Sequence, residues 1–252
     1  MRIFQIAYRV GLVNYTFNWK LVLGGEYLDW IIEGFIVTLK LSGLSLFFAL
    51  ALGTLIALLR LSQVKPLVWF SALYTEFFRN TPLLVQILFW YFGSDPILPE
   101  SMKVWLYKQN IEFAAGLIAL SVYTSAFIAE EIRAGINAIP RTQLEASRAC
   151  GLSFLQSMRY VILPQAFRII IPPFISQSLN LFKNSSLCMV IGVGEMTYMA
   201  RQIESHTARA FEAFTVTTLI YLVVSVLVSF LITQYNAQVL RSISKAKEDK
   251  PA

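Results

Sequence analysis

Residues 145–164 read EASRACGLSFLQSMRYVILP. Charges, amides and a glycine interrupt a chain that is otherwise apolar enough for lipid, and the reading of this insert decides the fold. Upstream, Pro140 ends the preceding helical run, and Thr142-Gln143-Leu144-Glu145 has the S/T-x-x-E spacing of a capping box, in which hydroxyl and carboxylate each satisfy an orphan backbone N–H. A short helix is predicted to start there. Gly151 suits the left-handed position that terminates a helix. Ser153-Phe154-Leu155-Gln156 offers a second capping box, opening a helix that Pro164 restricts. Along it Leu152, Leu155, Met158 and Ile162 form one apolar stripe. The segment reads as helix, glycine, helix, lying in or under the headgroup layer between two membrane spans.

The remainder of the chain supplies those spans. Of 252 residues, 56% are hydrophobic and 14% charged, and the mean hydropathy is +0.60. A span needs roughly 20 mostly apolar residues, so this length holds about five and no large extramembrane domain. Five runs qualify: Ile32 to Leu59, Phe70 to Phe92, Phe113 to Ile136, Ile169 to Val193 and Phe214 to Tyr235. They are too continuous for barrel strands, so the predicted class is an all-α integral membrane bundle. Residues 1–30 form an amphipathic N-terminal segment: Ile3 to Val13 is broken by Gln5, Tyr8 and Arg9, which sets it apart from a signal peptide. The membrane domain covers 31–240, with the polar loop at 140–165, and 241–252 is a tail.

Basic residues set the orientation. Arg60, Lys65, the arginines around the insert and the C-terminal Arg241, Lys245, Lys247 and Lys250 place eleven cations on one side, against seven on the other. The richer side is predicted to be cytoplasmic, which puts the N-terminus outside and the C-terminus inside. Topology thus accounts for most of the net charge of +6, with no nucleic-acid partner required. Two separated cysteines and one histidine, His206, make no disulfide framework, metal site or catalytic set, so no cofactor and no enzyme activity is expected. Phosphate-loop spacing, G-x-x-x-x-G-K-[ST], is absent.

Charges within spans are expensive unless they snorkel, pair or line a wet cavity. Lys40 lies about two turns from the outer end and reads as a snorkelling residue. Arg79 lies deeper, three residues after Glu76, and either pairs with it or meets a substrate. Pro82 is expected to break or kink the same helix. Lys183, ten residues beyond Pro173, falls about 15 Å along a helix, near the midplane. With Asn184, Ser185 and Ser186 it offers hydrogen-bonding groups suited to a carboxylate. The hydroxyls of Tyr123-Thr124-Ser125 read as interhelical packing groups. The outer loop from Gly194 to Glu212 offers a charged surface that is either solvated or a landing site for a partner.

The insert also resembles the EAA loop of ATP-binding-cassette (ABC) importer permeases. Glu145-Ala146-Ser147, three residues, Gly151, nine residues and Val161-Ile162-Leu163-Pro164 keep its spacing, with Ser147 and Val161 as small departures. Four further blocks are similar to those of the polar amino-acid branch: Gly34 to Ser42, Phe78 to Gln86, Ala129 to Ile136 and Lys183 to Leu187. The resemblance implies an inner-membrane permease that pairs with a second permease subunit, identical or homologous, above two separate ATPase subunits, and receives a small polar amino acid from a periplasmic solute-binding protein. The implied ATPase-coupling residues are Thr142, Glu145, Ala146, Ser147, Arg148 and Gly151; the implied substrate residues are Lys183, Asn184, Ser185, Ser186 and Arg79. Asn184 stands where many relatives carry aspartate, which points to an anionic cargo such as glutamate or aspartate. An ion-gradient-driven transporter or channel is the competing class, and self-capping is the competing role for Glu145.

Overall fold

A computed structural model describes residues 15–93 and 110–248. The amphipathic helix expected at Ile3 to Val13, the cations Lys103 and Lys108, and the last four residues of the tail lie outside the described residues. Among those described, every regular element is helical. In chain order they are α1 (Trp19–Val22), α2 (Glu26–Leu61), α3 (Lys65–Asn80), α4 (Leu83–Leu88) with a π turn (Phe89–Gly93), and α5 (Ile111–Asn137). Next come α6 (Arg141–Ala149), α7 (Phe154–Ser157) with a π turn (Met158–Ile162), α8 (Leu163–Asn184) with a 3-10 turn (Ser185–Ile191), α9 (Met196–Thr207) and α10 (Ala210–Glu248).

Among the described residues three helices are single, long and apolar enough to cross a membrane: α2 with 36 residues, α5 with 27, and α10 over its first 21. The expected second span is instead two helices separated at Thr81–Pro82, as Pro82 foretold. Pro82 is the extended residue before α4, with ψ 131°. The expected fourth span is α8 continued by the 3-10 turn, and Pro172 and Pro173 lie inside α8 rather than at its edge. α2 begins at Glu26, six residues ahead of the predicted start, so Lys40 sits about 21 Å along it rather than two turns in. Its side chain is exposed.

Three apolar clusters join these elements. Leu41, Leu83, Ile87, Ala119, Leu120, Leu181 and Cys188 tie α2, α4, α5 and α8 together. Val22, Ile31, Met196, Ile203, Ala213 and Val216 tie α1, α2, α9 and α10. Ile56, Ala57 and Ala129 close the far end of α2 on α5. Small residues set the separations, because helices in lipid associate through close van der Waals contact. A Cβ on Gly34 would stand 2.8 Å from Met196 Cα, and one on Gly53 would stand 2.8 Å from Ser125 O.

The segment expected as a loop from Gly194 to Glu212 is largely α9, whose Met196, Ala200 and Ile203 are buried. Its start is fixed by a polar node that charge counting missed. Glu195 accepts from Thr197 N (2.9 Å), Tyr198 N (2.7 Å) and Tyr221 Oη (3.0 Å), while Thr38 Oγ1 accepts from Met196 N (3.1 Å). The first turn of α9 thus has its orphan donors satisfied from α2 and from its own N-cap. Glu195 has no solvent exposure, and burial pushes its carboxyl up to about 7 against the pull of those donors. Glu212, read as a surface charge, is buried as well. It accepts from the Tyr15 hydroxyl and from Asn18 N (2.9 Å), which fastens the chain ahead of α1 to the start of α10.

Gly34→Val is expected to destabilise the fold by about 1–3 kcal/mol through overpacking, measured by thermal unfolding in detergent. Gly43→Val, with nothing within 4 Å of its Cβ, serves as the unchanged control. Because folding raises the affinity of Glu195 for its proton, stability should fall as pH climbs from about 4.5 to 7. Glu195→Gln should flatten that slope, and a slope unaltered by the substitution would assign it to other groups.

Candidate functional site

The polar insert folds as helix, glycine, helix. In α6, Arg141, Thr142, Gln143, Glu145, Ala146 and Arg148 are exposed, and Ser147 turns inward with its hydroxyl donated to Leu144 O (2.7 Å). The predicted capping box at Thr142 and Glu145 does not form. Pro140, with ψ 136° and no side-chain cap, is the N-cap, so Arg141 is already helical and the Thr142 hydroxyl comes too late in the turn. This leaves Glu145 free of a capping duty. Gly151 has φ 86°, its N–H donates to Arg148 O (3.0 Å), and Leu152 N–H donates to Ser147 O (3.3 Å), a Schellman end. The second capping box is present: Gln156 N donates to Ser153 Oγ (3.3 Å) and Ser153 N to Gln156 Oε1 (2.8 Å).

The apolar stripe predicted beyond it forms only in part. Of its four members Ile162 is buried, Leu152 and Met158 are half-buried and Leu155 is 78% exposed, while Ser157, outside the stripe, is buried. Leu152 precedes the cap and so belongs to no helix, and the π turn at Met158–Ile162 rotates the downstream residues relative to an ideal 3.6-residue period. Pro164 is the second residue of α8, directly after the π turn, and does not end the helix. The chain therefore runs helically from Phe154 to Asn184, linking the elbow directly to the lysine.

The predicted substrate residues divide between two interrupted spans that pack against each other. Leu83 and Ile87 of α4 share a core with Leu181 of α8 and with Cys188 of the 3-10 turn. Arg79 is exposed at the end of α3 and makes no ion pair with Glu76; its guanidinium lies 5.3 Å from the Phe127 ring centroid. Glu76 is taken by Asn80 Nδ2 (2.9 Å). The reason is geometric: α3 ends at Asn80, and the Asn80 amide folds back over Glu76 before Arg79 reaches it.

Lys183 is exposed on the subunit surface, beside half-buried Asn184. The count from Pro173 does not measure its depth, because α8 starts at Leu163, about 30 Å of helical rise away. Ser185 and Ser186 are not free hydrogen-bonding groups. Their hydroxyls donate to Phe182 O (2.7 Å) and Lys183 O (2.7 Å), capping the carbonyls where α8 tightens into the 3-10 turn. Among the described residues neither Arg79 nor Lys183 makes an ion pair, but Arg79 lies within electrostatic reach of the Glu130 and Glu131 carboxylates, which leaves Lys183 as the cation open to an anion. In the third span, Ser125 Oγ lies 2.6 Å from Tyr74 Oη, a bond between α5 and α3 that gives this hydroxyl its packing role.

Sequence reasoning missed Gln86 and Glu195 as polar residues that organise the site. Gln86 was legible as an amide one turn after a helix-breaking proline. Glu195 carried only a weak N-cap signal, an acid ahead of an amphipathic run.

Comparisons with known proteins agree with this scaffold. The family described as "Binding-protein-dependent transport system inner membrane component" matches residues 49–241. The glutamate/aspartate import permease protein GltJ of Escherichia coli strain K12 is 35% identical, covering 90% of this chain and 96% of that protein. The probable glutamine ABC transporter permease protein GlnM of Bacillus subtilis strain 168 is 41% identical, over 77% of this chain and 86% of its own. A crystal structure described as an amino acid ABC transporter with histidines superposes with a TM-score of 0.79 at 34% identity, covering 89% of this chain and all of that one. The chain belongs to the inner-membrane permease family of binding-protein-dependent, ATP-binding-cassette importers, in the branch represented by these amino-acid permeases.

Proposed function

We propose that this subunit forms half of a translocation path for an acidic amino acid, glutamate or aspartate. The observation that carries the reading is Lys183, a cation with no ion pair among the described residues, next to the uncharged Asn184 and on an interrupted span packed against the one that carries Arg79. A carboxylate gains charge-assisted hydrogen bonds from such groups, and no aspartate at position 184 repels it. The similarity to GltJ supports this cargo, while a glutamine permease at 41% identity supplies the competing neutral one. The arginine transport system permease protein ArtQ of Bacillus subtilis strain 168, at 35%, supplies a cationic competitor.

The second half of the proposal is mechanical. The exposed face of α6, with Thr142, Glu145, Ala146 and Arg148, docks at the cytoplasmic side into one of two separate ATPase subunits, and Ser147 and Gly151 shape the elbow. Closure of the ATPase pair then moves α6, and through the unbroken run from Phe154 to Asn184 it moves the lysine end of α8. A second permease subunit completes the path, and a periplasmic binding protein loads it. These assignments place the N-terminus outside and the tail inside.

Uptake of labelled glutamate, aspartate, glutamine and arginine by vesicles holding the full complex tests the cargo. Uptake without ATPase subunits would instead favour a gradient-driven carrier. Lys183→Met should raise KM for the acidic cargo by roughly 10-fold or more, the loss of one charge-assisted hydrogen bond, while ATPase assembly persists. An unchanged KM would remove Lys183 from the path. Gly151→Trp, which strains a left-handed position with open space around it, should abolish copurification of the ATPase. Retained copurification and transport would refute docking through the elbow.

A further inference from the structure

In an unbroken helix the N–H of residue 82 would donate to the carbonyl of Phe78. Pro82 has no N–H, so within an apolar bundle that carbonyl would be orphaned. Gln86, one turn further on, turns its amide back into the gap. Its Nε2 donates to Phe78 O (3.0 Å), to Thr81 O (3.2 Å) and to Thr81 Oγ1 (2.6 Å), sharing two hydrogens among three acceptors.

Its neighbours complete the cap. The Thr81 hydroxyl donates to Phe77 O (2.9 Å) and Asn80 Nδ2 to Glu76 O (2.7 Å), so three consecutive carbonyls at the end of α3 each receive a side-chain donor. Gln86 is only 6% exposed, and its Oε1 is buried with no partner among the described residues. An unpaired buried acceptor is unfavourable, and a leucine would fill similar volume without one. The amide is therefore useful there for its donors.

We propose that Gln86 is a positioning residue for transport. It supplies the N–H that Pro82 lacks, and so holds the second span broken at Thr81–Pro82 with Arg79 presented at the break. The inference rests on the reading that Arg79 borders the translocation path. It concerns a residue that contacts no substrate itself and acts through the shape of the backbone.

The test is a double-mutant cycle on the intact complex with its ATPase subunits. Gln86→Leu should lower the unfolding midpoint by several degrees and raise KM by roughly 10-fold. Adding Pro82→Ala restores a backbone N–H to Phe78 O and lets α3 run into α4, so the double variant should recover the midpoint while KM stays high. Stability regained without uptake regained is the result a purely structural glutamine would not give. A double variant no more stable than Gln86→Leu would overturn the capping role, and one that recovers both stability and uptake would overturn the positioning role. The probe is whichever of labelled glutamate, aspartate, glutamine and arginine the wild-type complex carries best, so an error in the proposed cargo leaves this test intact. If the wild-type complex carries none of the four, the proposed function fails, and the stability arm still decides whether Gln86 caps Phe78.

Discussion

In hydrocarbon there is no water to satisfy a free peptide group, so every helix end inside this subunit has to find its own partners. The fold can be followed as a series of such settlements. Asn80, Thr81 and Gln86 cover the carbonyls where α3 stops. Ser185 and Ser186 bond back to carbonyls as α8 gives way to the 3-10 turn. Glu195 and Thr38 receive the first donors of α9. Each settlement uses a polar side chain that composition alone marks as an intruder in an apolar sequence.

Those interruptions give a membrane subunit its working parts. A bundle of unbroken helices would leave no backbone group unpaired in its interior and would need no polar side chain to cover one. Here two broken spans lie against each other through Leu83, Ile87, Leu181 and Cys188, and each carries an exposed cation at its break or end. Close approach makes the arrangement stiff. Gly34 admits the backbone of Met196, and Gly53 admits the carbonyl of Ser125. Under the proposed coupling, movement of the elbow would pass along α8, with the polar breaks as the places where direction can change.

Much of this was legible from local chemistry. Pro82 announced the break, Gly151 the left-handed helix end, and Ser153 with Gln156 the second cap, because each depends on residues within one turn. The errors came where a signal reached beyond a turn or relied on an assumed boundary. Thr142 had the right spacing for a capping box, but Pro140 had already started the helix. Leu155 fitted an apolar stripe that a cap and a π turn disrupt. Lys183 received a depth from Pro173, a residue that proves to lie inside α8. Glu212 was counted as a surface charge and Glu195 was passed over, because nothing adjacent in sequence shows that Tyr221, Tyr15 and Asn18 come to meet them.

The sequence by itself determined an all-helical membrane chain with a polar elbow and five spaced blocks of one transport family, since hydropathy, helix stops and motif spacing are properties of neighbouring residues. Tertiary structure alone decided that the interruptions of the second and fourth predicted spans share a core, and which hydroxyls and carboxylates are already committed. The physical reason is that a hydrogen bond between residues 26 to 158 positions apart, such as Tyr221 to Glu195 or Met196 to Thr38, leaves no periodic trace in the chain that makes it.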